Sequence, residues 1–242
     1  MTGRVYGIGL GPGDPELMSL KANRLLTGAR HVAFFRKEGR PGRARTLAGD
    51  LVPEGAVEFA MEYPVTTEIP LDDPEYNGAL APFYEASCAH LKSLVDAGED
   101  VVVLCEGDPF FYGSFMHIYA RLDGVVPVEV VPAITGMSAA WTATGQPITW
   151  GDDVMTVLMG TLGEQDLARH MAAADALVVM KVGRNLAKVR RALAKAEKAG
   201  GAWLVECAAM ADQCVTPLRD VPADYVPPYF SIVLVHGQGR RP

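Results

Sequence analysis

Three short segments hold the residues whose types and spacing could do chemistry. The first is Gly7-Ile8-Gly9-Leu10-Gly11-Pro12-Gly13-Asp14-Pro15. A dinucleotide fingerprint, G-x-G-x-x-G, requires a third glycine three residues after the second. Counted from Gly7 that place holds Pro12, from Gly9 it holds Asp14, and from Gly11 it holds Glu16. An acidic residue there repels phosphate, and no G-K-[ST] follows, so a phosphate-cradling loop is excluded too. What remains is a glycine-lined loop at a strand's carboxyl end, the place where open α/β sheets bind ligands. Its glycines permit a bulky planar ligand to approach the backbone closely.

The second segment, Glu106-Gly107-Asp108-Pro109-Phe110-Phe111-Tyr112-Gly113, follows another apolar run, and the third, Val131-Pro132-Ala133-Ile134-Thr135-Gly136-Met137-Ser138, joins a strand to a helix. Small and hydroxylated residues at a helix start offer N–H and O–H donors to a carboxylate. A carboxylate such as Asp108 suits an ammonium group. Together the two loops fit a zwitterion. S-adenosylmethionine carries both groups, and any other zwitterionic ligand meets the same requirement. Asp14 and Asp108 are equally able to act as helix caps.

A basic segment stands apart. Arg36, Lys37, Arg40, Arg43 and Arg45 fall within ten residues, offset by Glu38, in a chain whose net charge is −7. The acidic total argues against a general nucleic-acid binder. The local basic run points to a small anionic ligand or to a solvated loop. Cys88, Cys105, Cys207 and Cys214 form no C-x-x-C pair, and the five histidines have no metal-ligand spacing, so no metal is expected. The apolar runs at 101–105, 176–180 and 231–235 are far shorter than the roughly 20 residues that cross a bilayer. The N-terminus shows no cleavable signal pattern, which makes a cytoplasmic protein the expectation.

The elements that must position these segments alternate. Hydrophobic residues make up 49% and charged residues 21%, as in an ordinary globular core. Strands are expected at 5–9, 31–35, 100–105, 128–131, 154–158, 177–181, 203–207 and 230–235. Helices are expected from Ser19 to Gly28, at 46–51, 111–122, 137–144 and 164–173, and from Asn185 onward. Residues 53–72 read as irregular. Asp73-Pro74 is a helix start signal, Pro82 suggests a break, and Tyr84, Cys88, Leu91 and Val95 mark the main helix, which Gly98 ends. Strands separated by helices imply an α/β fold with mainly parallel or mixed sheets. A boundary near 130 divides the chain into domains 1–130 and 131–242.

GLGPGDPEL at 9–17, EGDPFFYGS at 106–114 and VVPAITGMSAA at 130–140 resemble the tetrapyrrole (corrin and porphyrin) methylases, over essentially the whole chain. FFRKEGRPGRARTLA at 34–48, EYPVTTEIP at 62–70, TWGDDVMTVLMGTL at 149–162, VVMKVGRNLAKVRRAL at 178–193 and PYFSIVLVHG at 228–237 are similar to the family's C20-methyltransferases of cobalamin synthesis. Their substrate is precorrin-2 or its cobalt complex. The resemblance implies two α/β domains with the cofactor in the cleft between them, a homodimer, and S-adenosyl-L-methionine as co-substrate. It implies cofactor contacts from Pro12, Glu106, Gly107, Asp108, Phe111, Thr135, Gly136, Met180, Ala208 and Val235. The implied reaction is an in-line methyl displacement by an electron-rich carbon, followed by proton loss, for which Glu106, Tyr112 and His117 are candidate acceptors. The substrate's eight carboxylates call for a cationic counter-surface, expected from Arg36, Lys37, Arg40, Arg43, Arg45, Lys181 and Arg184. Ala133 and Met159 stand where the family usually has glycine and the subgroup often has proline, so altered loop geometry is expected there.

Overall fold

The computed structural model describes residues 2–65 and 74–239, and the chain divides into two compact units, Met1–Thr135 and Gly136–Pro242. The Asp73 start signal lies outside the described residues.

The first unit holds one sheet of five strands: β1 (Val5–Gly9), β2 (His31–Lys37), β3 (Val57–Tyr63), β4 (Val101–Cys105) and β5 (Val128–Val131). All pair in parallel, in the order β3-β2-β4-β1-β5. Helices α1 (Leu20–Thr27) and α2 (Arg43–Ala48) cover one face; α3 (Pro74–Asp96) and α4 (Phe115–Leu122) cover the other. β4 shows why its sequence is apolar throughout. Val102 and Leu104 pack with Ala22, Leu26 and Ala44 on one side, while Val101, Val103 and Cys105 pack with Leu91, Phe115 and Ile118 on the other. Ser19 caps α1 as expected, its Oγ accepting from the Ala22 N–H at 3.1 Å.

Two expectations fail here. Residues 57–63 form a regular strand rather than irregular chain. Pro82 does not break α3, which runs unbroken through it. Pro82 and Gly78, whose carbonyl loses its helical donor, are both exposed, which leaves the freed oxygen open to solvent.

The second unit holds a mixed sheet: β6 (Met155–Met159), β7 (Ala176–Met180), β8 (Ala202–Glu206), β9 (Cys214–Pro217) and β10 (Ser231–Val235), in the order β6-β7-β10-β8-β9. β6 and β7 are parallel; β10 runs antiparallel to both β7 and β8, and β9 antiparallel to β8. Helix α5 (Gly136–Ala143) covers one face through Ala140, against Val178, Val205 and Ile232. Helices α6 (Glu164–Ala172) and α7 (Leu186–Lys195) cover the other, where Leu167, Met171, Leu186 and Val189 meet Leu177, Val179, Leu204 and Val233. The fold is α/β, with one parallel and one mixed sheet.

Candidate active site

In the first unit the connections from β1 to β2 and from β2 to β3 travel one way along the sheet, and those from β3 to β4 and from β4 to β5 travel back. The connections leaving the neighbouring strands β1 and β4 therefore part in opposite directions. The crevice at their carboxyl ends is the topological switch point, where such sheets bind ligands. Both glycine-acid loops begin there.

Backbone bonds join these loops. The Leu10 N–H donates to the Cys105 carbonyl at 2.9 Å, and the Gly107 N–H to the Gly11 carbonyl at 3.0 Å. Asp108 adds the third strand end: Oδ2 accepts from the Ala133 N–H and Oδ1 from the Phe110 N–H, each at 2.9 Å. Asp108 is thus a staple between the loops after β4 and β5, using both oxygens on backbone donors. Gly9 is required by contact. A Cβ there would lie 2.4 Å from the Ala133 Cβ and 2.5 Å from the Gly107 carbonyl oxygen. Gly107 is required by conformation (φ 62°), and the space where its side chain would stand is open. Asp14 caps the short 3-10 turn Pro15–Leu17 by accepting from the Glu16 N–H, and Pro12 is buried.

Glu106 is a half-buried charge of this edge. Burial holds its carboxyl above the ordinary carboxylate range, while the Arg43 charge and the Ala44 N–H pull it back. That amide belongs to the first turn of α2, whose own N-cap, Gly42, has no side chain to offer. Glu106 supplies the missing cap from a different strand.

The basic segment divides into two groups. Arg36 and Glu62 are cross-strand partners, joined by bonds of 2.5 and 2.8 Å, and Arg45 holds Glu58 with two bonds of 2.7 and 3.0 Å. These two arginines brace β3. Arg40 and Arg43 are exposed, and Lys37 is half-buried at the end of β2. Among the predicted proton acceptors, Tyr112 is exposed with φ 55°, against Phe111, whose ring centroid is 4.9 Å away. His117 lies elsewhere. Its ring packs at 4.8 Å on Tyr84 of α3, and burial, then the Arg121 charge, lowers its proton affinity.

In the second unit Gly136, Met180 and Ala208 gather on the α5 side of the sheet. Ala208 belongs to that core, Met180 packs against it, and a Cβ on Gly136 would lie 3.9 Å from the Ile232 Cδ1. Thr135 closes the first unit, one residue before α5. Lys181 (φ 54°), Cys207 (φ 49°) and Ala209 (φ 61°) are left-handed immediately beyond β7 and β8. Such conformations in residues with a Cβ cluster at functional sites. Lys181 and Arg184 are exposed beyond β7. Val235 does not join this group. It pairs with Leu177 and Ala202, at the opposite edge from Met180, and packs in the α6–α7 core. The register instead brings Ile232 level with Met180, a residue the sequence reading passed over. The reversal of β10 was the missing signal.

Among the described residues, no three His, Cys, Asp or Glu side chains are grouped as a metal site requires, and no helix is long and apolar enough to cross a membrane.

Comparisons with known proteins agree with this layout. The precorrin-2 C(20)-methyltransferase of a Sinorhizobium species is 47% identical over 241 residues, covering 100% of this chain and 98% of that one. The cobalt-precorrin-2 C(20)-methyltransferase of Salmonella typhimurium is 26% identical, with 98% of each chain covered. The crystal structure of a Thermus thermophilus uroporphyrin-III C-methyl transferase, complexed with S-adenyl homocysteine, superposes with a TM-score of 0.67 at 26% identity, over 97% of this chain and 92% of that one. The sequence profile of the Tetrapyrrole (Corrin/Porphyrin) Methylases matches residues 4–222. By its sequence signature, its two sheets and its stapled strand ends, this chain belongs to the tetrapyrrole methylase family.

Proposed function

We propose that this chain is a precorrin-2 C20-methyltransferase, transferring a methyl group from S-adenosyl-L-methionine to precorrin-2 to give precorrin-3A in cobalamin biosynthesis. The observation that carries the reading is the match to the Sinorhizobium enzyme from end to end. When bound, S-adenosylmethionine supplies a methyl group already activated by its positive sulfur. The protein's task is then placement rather than activation.

The residues present fit that cofactor. Glu106 puts a half-buried carboxylate at the switch point, suited to a cationic ligand, and Gly107 leaves open space beside it. With Asp108 committed to Ala133 and Phe110, the loop is rigid before any ligand arrives. Arg40 and Arg43 are proposed to hold the substrate's carboxylates, because both are exposed in the basic segment, whereas Arg36 and Arg45 brace β3. Glu106 is the favoured proton acceptor over Tyr112 and His117: burial raises its basicity, whereas His117 is turned to the α3 layer. Homodimerisation and a cytoplasmic location are part of the same proposal, resting on the family resemblance.

The test is mass spectrometry of precorrin-2 incubated with the protein and S-adenosylmethionine, with the new methyl located by NMR. One methyl at C20 is expected. Transfer to cobalt-loaded precorrin-2 alone would move the protein to the cobalt-dependent reaction, and transfer to neither would overturn the proposal.

A further inference from the structure

Ser114 closes the loop between β4 and α4, and its hydroxyl is used in an unexpected direction. A serine at a helix N-cap ordinarily accepts from that helix's first-turn amides. Ser114 occupies the N-cap of α4 with helical backbone angles and makes no such bond. Its Oγ accepts instead from the Tyr63 hydroxyl, 51 residues away in sequence, and the Tyr84 hydroxyl hydrogen-bonds with both Ser114 and Tyr63. Tyr63 ends β3 and Tyr84 is buried in α3, so two separate elements converge on the serine that begins α4.

The rings are held independently of their hydroxyls. Phe35 stacks on Tyr63 at 5.6 Å and Phe83 meets it at 4.9 Å, while the Arg121 guanidinium lies 5.3 Å from the Tyr84 ring centre. Phenylalanine would fill the same space. The hydroxyls add direction, fixing Ser114 and with it the C-terminal end of the Glu106–Ser114 loop. Two residues before Ser114 stands Tyr112 in its left-handed conformation. A residue with a Cβ stays there only where its surroundings over-determine it. Asp108 fixes the other end of the loop, through Phe110 and Ala133.

We propose that Tyr63 and Tyr84 are positioning residues for methyl transfer, acting through Ser114 to hold Tyr112 and the far half of the loop against the bound tetrapyrrole. The inference rests on the methyltransferase reading. It separates the loop into two halves: one stapled by Asp108 beside the cofactor residues, the other held by the hydroxyl cluster and directed to the macrocycle.

The variants are Tyr63→Phe, Tyr84→Phe, Ser114→Ala and Ser114→Thr in the full chain. Hydrogen exchange of the amides of 110–114 should quicken by roughly 10-fold in the first three, with β1 and β4 unchanged. The KM for precorrin-2 should rise and kcat fall, each about 5-fold, while the Kd of S-adenosylhomocysteine changes less than 2-fold. Ser114→Thr should restore both the exchange and the kinetics. Unaltered exchange in Tyr63→Phe and Ser114→Ala, faster exchange with unaltered kinetics, or equal loss across core and loop would each overturn the proposal. Exchange needs no substrate. A wild-type protein that fails to methylate precorrin-2 therefore refutes the activity, while the exchange data still judge the hydroxyl cluster.

Discussion

In the first unit all five strands run the same way, so every carboxyl end reaches one edge. In the second, β10 runs against its neighbours and presents its amino end beside the carboxyl ends of β7 and β8. The first edge is furnished with charge: Glu106, Asp108 and the arginines of the β2–α2 segment. The second is apolar on its α5 face, around Met180, Ala208 and Ile232, with the cations Lys181 and Arg184 exposed just beyond β7. Stability is arranged differently too. The loops of the first unit are tied by cross-loop hydrogen bonds and a glycine contact, whereas the strained turns of the second follow buried apolar strands. The contrast teaches that the carboxylates and cross-loop ties of the first edge and the apolar α5 face of the second should each respond to their own class of substitution.

Gly9→Val attacks the tie most directly, because Ala133 and Gly107 must both move. Methyl transfer should fall by about 100-fold and unfolding free energy by about 3 kcal/mol. A variant that keeps activity within a few-fold would remove the claim that these loops are locked together. Asp108→Ala should cost about 2–3 kcal/mol in denaturant titration, since two backbone donors lose a charged acceptor. Next comes the apolar edge. Val235→Ala and Ile232→Ala should each lower stability by about 2 kcal/mol, yet only Ile232→Ala should weaken S-adenosylhomocysteine binding by calorimetry. Equal weakening by both would erase the distinction drawn from the register. In the basic segment, Arg40→Ala with Arg43→Ala should raise the precorrin-2 KM by roughly 10-fold, about 1.4 kcal/mol, while Arg36→Ala and Arg45→Ala act on thermal stability instead.

The smallest effect concerns Glu106. Burial raises its proton affinity in the folded chain. The folded state therefore binds the proton more tightly, and the wild type loses stability as pH climbs from the unfolded carboxyl value through the folded one. Glu106→Gln carries no such charge. Its Tm should exceed that of the wild type by about 2 °C at pH 8 and converge with it at low pH. A lower Tm at pH 8 would mean that Arg43 and Ala44 outweigh the burial.

Much of the fold was legible because apolar runs and turn residues agree along the chain. The helix cap at Ser19 and the buried run of β4 are examples. β3 was missed although its alternation suits a half-buried strand, because the Pro, Glu and Thr residues crowding 53–72 mask so short a pattern; Glu58 and Glu62 are there to hold Arg45 and Arg36. The same fact hid which arginines hold a carboxylate of β3. The four-residue β9, ended by Pro217, is too short to leave a pattern. Strand direction was the costliest gap. Ser-Ile-Val-Leu-Val is buried on both faces and reads identically either way, so nothing local distinguished Ile232 from Val235. Asp108 was read as an ammonium partner because its backbone donors come from Phe110 and from 25 residues downstream, a tie that composition cannot show.

The place of β10 also bears on how the chain is made. It is the last of its five strands to leave the ribosome, yet it belongs in the middle of its sheet. The first sheet receives its central β4 fourth and its edge strand β5 last, so it can close while synthesis of the second unit continues. Until β10 emerges, β7 and β8 expose two unsatisfied rows of N–H and C=O groups, open to a neighbouring nascent chain. A premature stop ahead of Ser231 would therefore yield a folded front half fused to an aggregation-prone remnant.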